Sequence, residues 1–317
     1  MKTKLSHDSS SLECRKVYTQ TLSDLMSKNP NIVVIDADLV SASGSSELFK
    51  KFPQRCINVG ISEANMMGVA AGMSLVGLVP YIHTFAPFAT RRMYDQVFVS
   101  GAYQNNNVRI FGSDPGFWAA HNGGTHTSIE DIALMRVIPR MNVLAPADGV
   151  ALKWAVEETS KQHGMFYIRA PRKAVPTVYD ESMTFNIGQA IVTLEGNDGV
   201  IFTMGEMVHE SMKAAQQLLQ THGLSIAVVD MFSLKPLDEE SVRKILIGKK
   251  FAVSVENHSI INGLGSAIAQ IIASMNNQVP HKQVGILDHF GEVGTQDFLQ
   301  EKYKLTVNDI IDTIQSF

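Results

Sequence analysis

The chain has 317 residues, 45% hydrophobic and 18% charged, with a formal charge of −4, the make-up of a globular protein with core for about two domains of ~150 residues. No basic run points to nucleic acid or an anionic membrane, and the longest weakly polar stretch, Met66 to Val79, is too short to cross a bilayer. The start, MKTKLSHDSSSLE, lacks the apolar segment of a signal peptide, and Cys14 and Cys56 have no CxxC spacing, so the expected setting is reducing and cytoplasmic.

Short β-branched runs alternate with helix-length segments. NIVVIDAD (31–38) reads as a strand followed by a Ser-rich loop, and CINVG (56–60) leads into a small-residue helix headed by Glu63. LVPYIH (78–83) leads into a helix through RRMYDQVFVSGAYQ; NVRIFGS (107–113) is a strand, followed by a long loop and a helix over SIEDIALMRVI (128–138). NVLAPAD feeds a helix, and MFYIRAP (165–171) closes the series. The alternation restarts at DGVIFTMG (198–205), with a helix ended by a Gly cap and three more strands, LSIAVVDM, FAVSVENH and QVGILDHF. The pattern predicts an α/β protein of two domains, 1–180 and 187–317, each a mostly parallel sheet flanked by helices.

Glu63 invites two readings. Ser62 fits an N-cap, and an acid in the first turn complements the helix dipole; with companions elsewhere it is instead a functional carboxylate. Phe85 and Phe88, in TFAPFATRRMYDQ, stand three apart around a Pro, as core or as the wall of a site for a flat heterocycle. GSDPGFWAAHNGGTHTSIED (112–131) is a long loop after a strand, where α/β sheets bind ligands; it holds Asp114, His121, Asn122 and His126. Two histidines without a third suitably spaced ligand do not make a metal site. NGLG (262–265) is an incomplete dinucleotide loop, better read as a tight strand-to-helix turn. Arg169 ends a strand at the loop's sheet edge, where it could grip a carboxylate or phosphate.

Together, NVGISEANMMGVAAGMS, TFAPFATRRMYDQ, GGTHTSIEDIALMRVIP, VLAPADG and FYIR resemble the pyrimidine-binding domain of transketolases, and VVDMFSLKPLD with VENHSIINGLGSAIA is similar to their C-terminal domain. The resemblance covers about residues 12 to 312. It implies a thiamine-diphosphate enzyme that transfers a two-carbon ketol unit between sugar phosphates. By the same resemblance Glu63 bonds the cofactor's aminopyrimidine ring, Phe85 and Phe88 form its pocket with Arg91 nearby, and Asp38 in DADL lies near the cofactor. His126 is the active-site histidine, Arg169 and Arg15 hold the substrate's anion, and Asp114, His121 and Asn122 lie on the substrate side.

Three positions depart from the family pattern. Asp114 stands where a substrate-contacting His is usual, Asn122 where an acid is, and Ala42, between Ser41 and Ser43, where a phosphate-binding Ser is. They point to a non-standard sugar, such as apulose 4-phosphate or a sulfosugar. No GDG occurs in the chain, so Mg²⁺ and the cofactor diphosphate are expected on a separate partner subunit, in an α₂β₂ assembly. The alternatives are the β-subunit of a 2-oxo acid dehydrogenase E1, a 1-deoxyxylulose-5-phosphate synthase and a non-catalytic assembly partner.

Overall fold

The structure, a computed structural model, describes residues 12–317. The stretch 1–11, most of the segment read above for a signal peptide, lies outside the described residues. In the first half the order is α1 (Cys14–Lys28), β1 (Ile32–Asp36), α2 (Val40–Ser43), α3 (Ser46–Lys51), β2 (Cys56–Asn58), α4 (Glu63–Leu75), β3 (Val79–Phe85) and α5 (Ala86–Thr90). A 3₁₀ turn (Arg91–Met93), α6 (Tyr94–Gln96) and a π-helical turn (Val97–Tyr103) lead to β4 (Arg109–Ser113). A second 3₁₀ segment (Gly116–Asn122) precedes α7 (Asp131–Val137), β5 (Met141–Leu144), α8 (Gly149–Thr159) and β6 (Met165–Ala170).

The second half contains β7 (Ile191–Leu194), β8 (Gly199–Thr203), α9 (Met207–His222), β9 (Ile226–Asp230), β10 (Ser233–Lys235), α10 (Glu239–Leu246), β11 (Phe251–Ser259), α11 (Leu264–Ala273), β12 (His281–Ile286), α12 (Gln296–Lys302) and α13 (Val307–Gln315).

Two sheets result. The first has seven strands in the order β10-β5-β6-β4-β3-β1-β2, the second five in the order β12-β11-β8-β9-β7. All pairings are parallel except β10 with β5 and β7 with β9. Strands β1, β4 and β6 are buried along their whole length. A parallel sheet covered by helices on both faces demands that, and it is why IVVID and MFYIRA read as nearly continuous apolar runs. Tyr18 of α1 stacks on Phe111 of β4 with ring centres 4.2 Å apart, fixing α1 to one face of the first sheet.

Four features differ from the sequence reading. Strand β10 comes from the second half of the chain but completes the first sheet, pairing Ser233 with Leu144 and Lys235 with Val143. The single helix expected through RRMYDQVFVSGAYQ is broken into 3₁₀, α and π turns. Helix α7 begins at Asp131 instead of Ser128. Ser62 precedes α4 but makes no capping bond, its Oγ donating to Val59 O at 2.9 Å. The Gly cap of α9 is present: Gly223 is left-handed, its N–H bonds Leu219 O, and Leu224 N–H bonds Leu218 O. Asp148 caps α8, its Oδ1 accepting from Ala151 N at 2.9 Å.

What this topology does for a site is local. In β1, β3 and β4, neighbours near the sheet centre, Asp36 is paired with His83 and Phe85 with Ser113. Their carboxyl ends therefore finish side by side, and the loops carrying Asp38, Phe88 and Asp114 open on one edge, the usual ligand edge of such sheets.

Candidate active site

Glu63 is the first residue of α4 and is 2% exposed. Arg92 Nη1 donates to its Oε1 at 2.6 Å, while Oε2 is buried with no hydrogen-bond partner. An unsatisfied buried oxygen costs about 1–3 kcal/mol, and Oε2 is left able to accept a hydrogen bond. The Arg92 guanidinium also lies 3.7 Å from the centre of the Phe88 ring.

Three rings gather beside the Arg92 guanidinium. Phe85 ends β3, and Phe88 follows in α5, whose first turn Pro87 sets. Their centres are 6.1 Å apart, and the His126 imidazole lies 5.5 Å from Phe85 and 5.0 Å from Phe88, edge to face with both. His126 Nδ1 is 2.9 Å from Thr125 Oγ1. Burial, helped by the positive charges of Arg92 and Arg172, holds its pKa below the ordinary histidine value. The ring is therefore neutral at neutral pH and able to accept or donate a proton.

Arg172 extends this wall, its guanidinium 4.6 Å from the Phe85 ring centre. Asp114, in left-handed backbone at φ 53°, accepts from Arg172 N at 2.7 Å and from its Nε at 2.5 Å. Burial raises the Asp114 pKa and the Arg172 charge opposes the rise. Behind this pair His83 lies 3.1 Å from Asp36 and 3.1 Å from Ser113, all buried. The Asp114 carboxylate thus has a cation in direct contact.

Glu63, Phe85, Phe88, His126 and Asp114 form one cluster, and the other expected residues distribute differently. Asp38 is exposed at the sheet edge, at φ 63°, beside Asn58. Arg91 points away from Glu63, pairing with Glu130 at 2.8 Å and reaching the carbonyls of Thr125 and Thr127. Arg15 is paired with Glu13 and packs along Gly44, with Nη1 3.4 Å from Ala42 O. His121 and Asn122 are exposed at the end of the 3₁₀ segment. Arg169 does not reach the pocket: it is 2% exposed, ion-paired with Asp131 at 2.8 Å and donating to Asn257 O.

The sequence reading named Arg91 and Arg169 and not Arg92 and Arg172, which the structure sets against the Phe88 and Phe85 rings. Sequence spacing bears on each. Arg92 is four residues after Phe88, one helical turn on, so the two share a face. Arg169 is two residues after Tyr167 on β6, which puts both on one face of the sheet, where each bonds Asp131. Arg172 lies beyond the strand and is free of that alternation.

The NGLG segment holds no phosphate site. The Glu256 carboxylate accepts from Leu264 N at 2.7 Å and Gly265 N at 2.8 Å, so the chain fills its own α11 N-terminus. Among the described residues no three His, Cys, Asp or Glu side chains gather as metal ligands, and no helix is long and apolar enough to cross a membrane.

Comparison with known proteins decides the family. The model of the transketolase pyrimidine binding domain matches residues 10–178, and that of the transketolase C-terminal domain matches 188–310. The chain belongs to the transketolase family. It is 41% identical to a 6-deoxy-6-sulfo-D-fructose transketolase subunit of Clostridium sp. (strain MSTE9), over 94% of this chain and 92% of that protein. It is 32% identical to one of the subunits of an apulose-4-phosphate transketolase of Phocaeicola vulgatus, over 96% and 97%. A solved split-gene transketolase, described as an inactive β₄ tetramer, superimposes with a TM-score of 0.89 at 39% identity, covering 96% of this chain and 98% of that one. These relatives are transketolase subunits, which favours that reading over the dehydrogenase one.

Proposed function

We propose that this transketolase-family chain is the C-terminal subunit of a two-chain, thiamine-diphosphate-dependent transferase that moves a two-carbon ketol unit between anionic sugars. The observation that carries the reading is the unpartnered Oε2 of buried Glu63, joined through Arg92 to the Phe85–Phe88–His126 ring cluster. That pocket fits an aminopyrimidine: an aromatic wall for a flat ring and a carboxylate oxygen for a ring nitrogen. Bound thiamine diphosphate supplies the nucleophilic carbon and electron sink that cleavage beside a ketose carbonyl needs. Glu63 would hold the aminopyrimidine through a hydrogen bond at a ring nitrogen, with Arg92 fixing the carboxylate and Phe88 offering its ring to the flat heterocycle. His126 exchanges a proton with a sugar oxygen, and Arg172, held by Asp114, offers its charge to the substrate's phosphate or sulfonate.

A separate diphosphate-binding subunit carrying the Mg²⁺ ligands completes the site, in a cytoplasmic α₂β₂ assembly. Similarity to proteins named as transketolase subunits, and to a solved split-gene transketolase, supports this. Helix α4 supports it too, since it turns Gly68, Gly72 and Leu75 outward with little polar cover. A native pull-down tests it first. A second chain with GDG…N is expected, and the reconstituted complex should lose turnover in Glu63→Gln while still assembling. Wild-type turnover by that variant would refute the mechanism.

A further inference from the structure

The loop around the candidate site is held both by its own hydrogen bonds, such as Gly116 N to Ser128 O and His126 N to Gly123 O, and by the second sheet. Residues 115–126 carry His121, Asn122 and His126, and they include Gly116 at φ 57° and Ala120 at φ 46°, ψ −118°. A non-glycine residue persists in such backbone only where its surroundings impose it. At Gly116 the surrounding contacts come from the second sheet.

Asn257, in β11, is 1% exposed. Its Oδ1 accepts from Phe117 N at 3.1 Å, and its Nδ2 donates to Pro115 O at 3.2 Å and to Glu206 Oε1 at 2.5 Å. One carboxamide thus brackets Gly116, where a Cβ would stand 1.9 Å from Asn257 Oδ1. Glu206 and Pro115 on the nitrogen side and Phe117 N–H on the oxygen side fix the orientation of the amide. The far end of the loop is held from the same sheet's side. Ser259 N donates to Ile129 O at 2.8 Å, and Gly291 lies so close to Thr127 that a Cβ on it would be 2.4 Å from the Thr127 Cβ.

We propose that Asn257 is a positioning residue: through Pro115 and Phe117 it lets the C-terminal domain set the loop that brings His126 to the ring cluster. It touches no reacting group, and its relevance to catalysis rests on the function proposed above. The second domain thereby acts on a site to which it contributes no wall residue of the ring cluster.

The test is hydrogen exchange on the full chain, together with NMR titration of the His126 imidazole, comparing wild type with Asn257→Ala. Amides 116–126 should exchange tenfold or more faster while β8 and β11 keep their protection, and the His126 pKa should rise towards the ordinary value as the ring leaves Arg92 and Arg172. Unchanged loop exchange with an unchanged titration overturns the proposal, as does equal loosening of β11 and the loop. If Asn257→Ala does not fold, Gly116→Ala, which pushes on the same carboxamide from the loop side, is read by the same two measurements. Both are made without cofactor, so failure of thiamine diphosphate to bind would count against the proposed function and leave this result standing.

Discussion

Arg92 holds one oxygen of Glu63 at 2.6 Å and leaves the other bare. The same guanidinium covers the outer face of Phe88 at 3.7 Å, so one cation fixes the acid and the ring together. Arg92→Ala should therefore weaken thiamine diphosphate binding to the assembled enzyme about tenfold, the scale of removing a cation–π interaction and a half-exposed ion pair at once. Arg91→Ala, which touches neither group, should cost less than threefold. Calorimetric titration of both variants decides it, and equal effects would mean that the pairing of Arg92 with Glu63 has no bearing on the cofactor.

Phe88→Ala should weaken cofactor binding by ~1–3 kcal/mol, the value of an aromatic ring that stacks and is buried on binding. The His126 ring would lose one of its two edge-to-face neighbours, so turnover should fall as well. An unchanged dissociation constant would make Phe88 a packing residue and nothing more.

Arg169 and Arg172 are three residues apart and should respond to substitution in different ways. Arg169→Ala strands the Asp131 carboxylate at 0% exposure, and breaking a buried pair from one side costs about 3–5 kcal/mol. Its loss should appear in urea unfolding. Arg172→Gln keeps a donor for Asp114 but removes the charge at the pocket mouth. Arg172 is partly exposed and its backbone N–H still serves Asp114, so the unfolding free energy should fall by about 1–3 kcal/mol, less than at Arg169, while KM for an anionic ketose rises tenfold or more. A large stability loss at Arg172 with unchanged KM would reverse the assignment.

The features legible in the sequence are those set by local chemistry. The continuous apolar runs of β1 and β6 required a sheet covered on both faces, and Gly223 ended α9 where a left-handed residue was needed. Glu63 stood out because an acid heads an otherwise apolar helix. The long-range choices were not legible. Nothing in SLK announces that β10 leaves its own domain to pair with β5, since that depends on the edge the first sheet leaves open. The break after α5 escaped notice because RRMYDQVFV has helical composition throughout, and tertiary packing sets the turn type. At the candidate site, side-chain direction was not legible: Arg91 turns to Glu130 and Arg169 to Asp131, while Arg92 and Arg172 lie on the rings.

Asp230, at the end of β9, makes stability depend on pH. Tyr179 Oη donates to its Oδ2 at 2.6 Å, but Oδ1 is buried without a partner. Burial pushes its pKa up to about 8, with the Tyr179 bond opposing the rise and the Asp148 charge adding to it. The unfolded value is ordinary, about 3.9. Between these two values the folded state binds more protons than the unfolded one. This contribution is therefore full below about pH 4 and declines as pH rises to about 8, at up to about 1.4 kcal/mol per pH unit. His258 and His281, held down at about 4 by burial, act in the opposite sense over pH 4 to 6.5, so the wild-type curve alone mixes the effects. The difference between wild type and Asp230→Asn isolates the carboxyl. The variant should match wild type or fall slightly below it at pH 4.5, and exceed it by several kcal/mol (about 3 or more) at pH 8. Urea unfolding at the two pH values measures this, and parallel curves would show that Asp230 ionises at an ordinary pH in the folded protein.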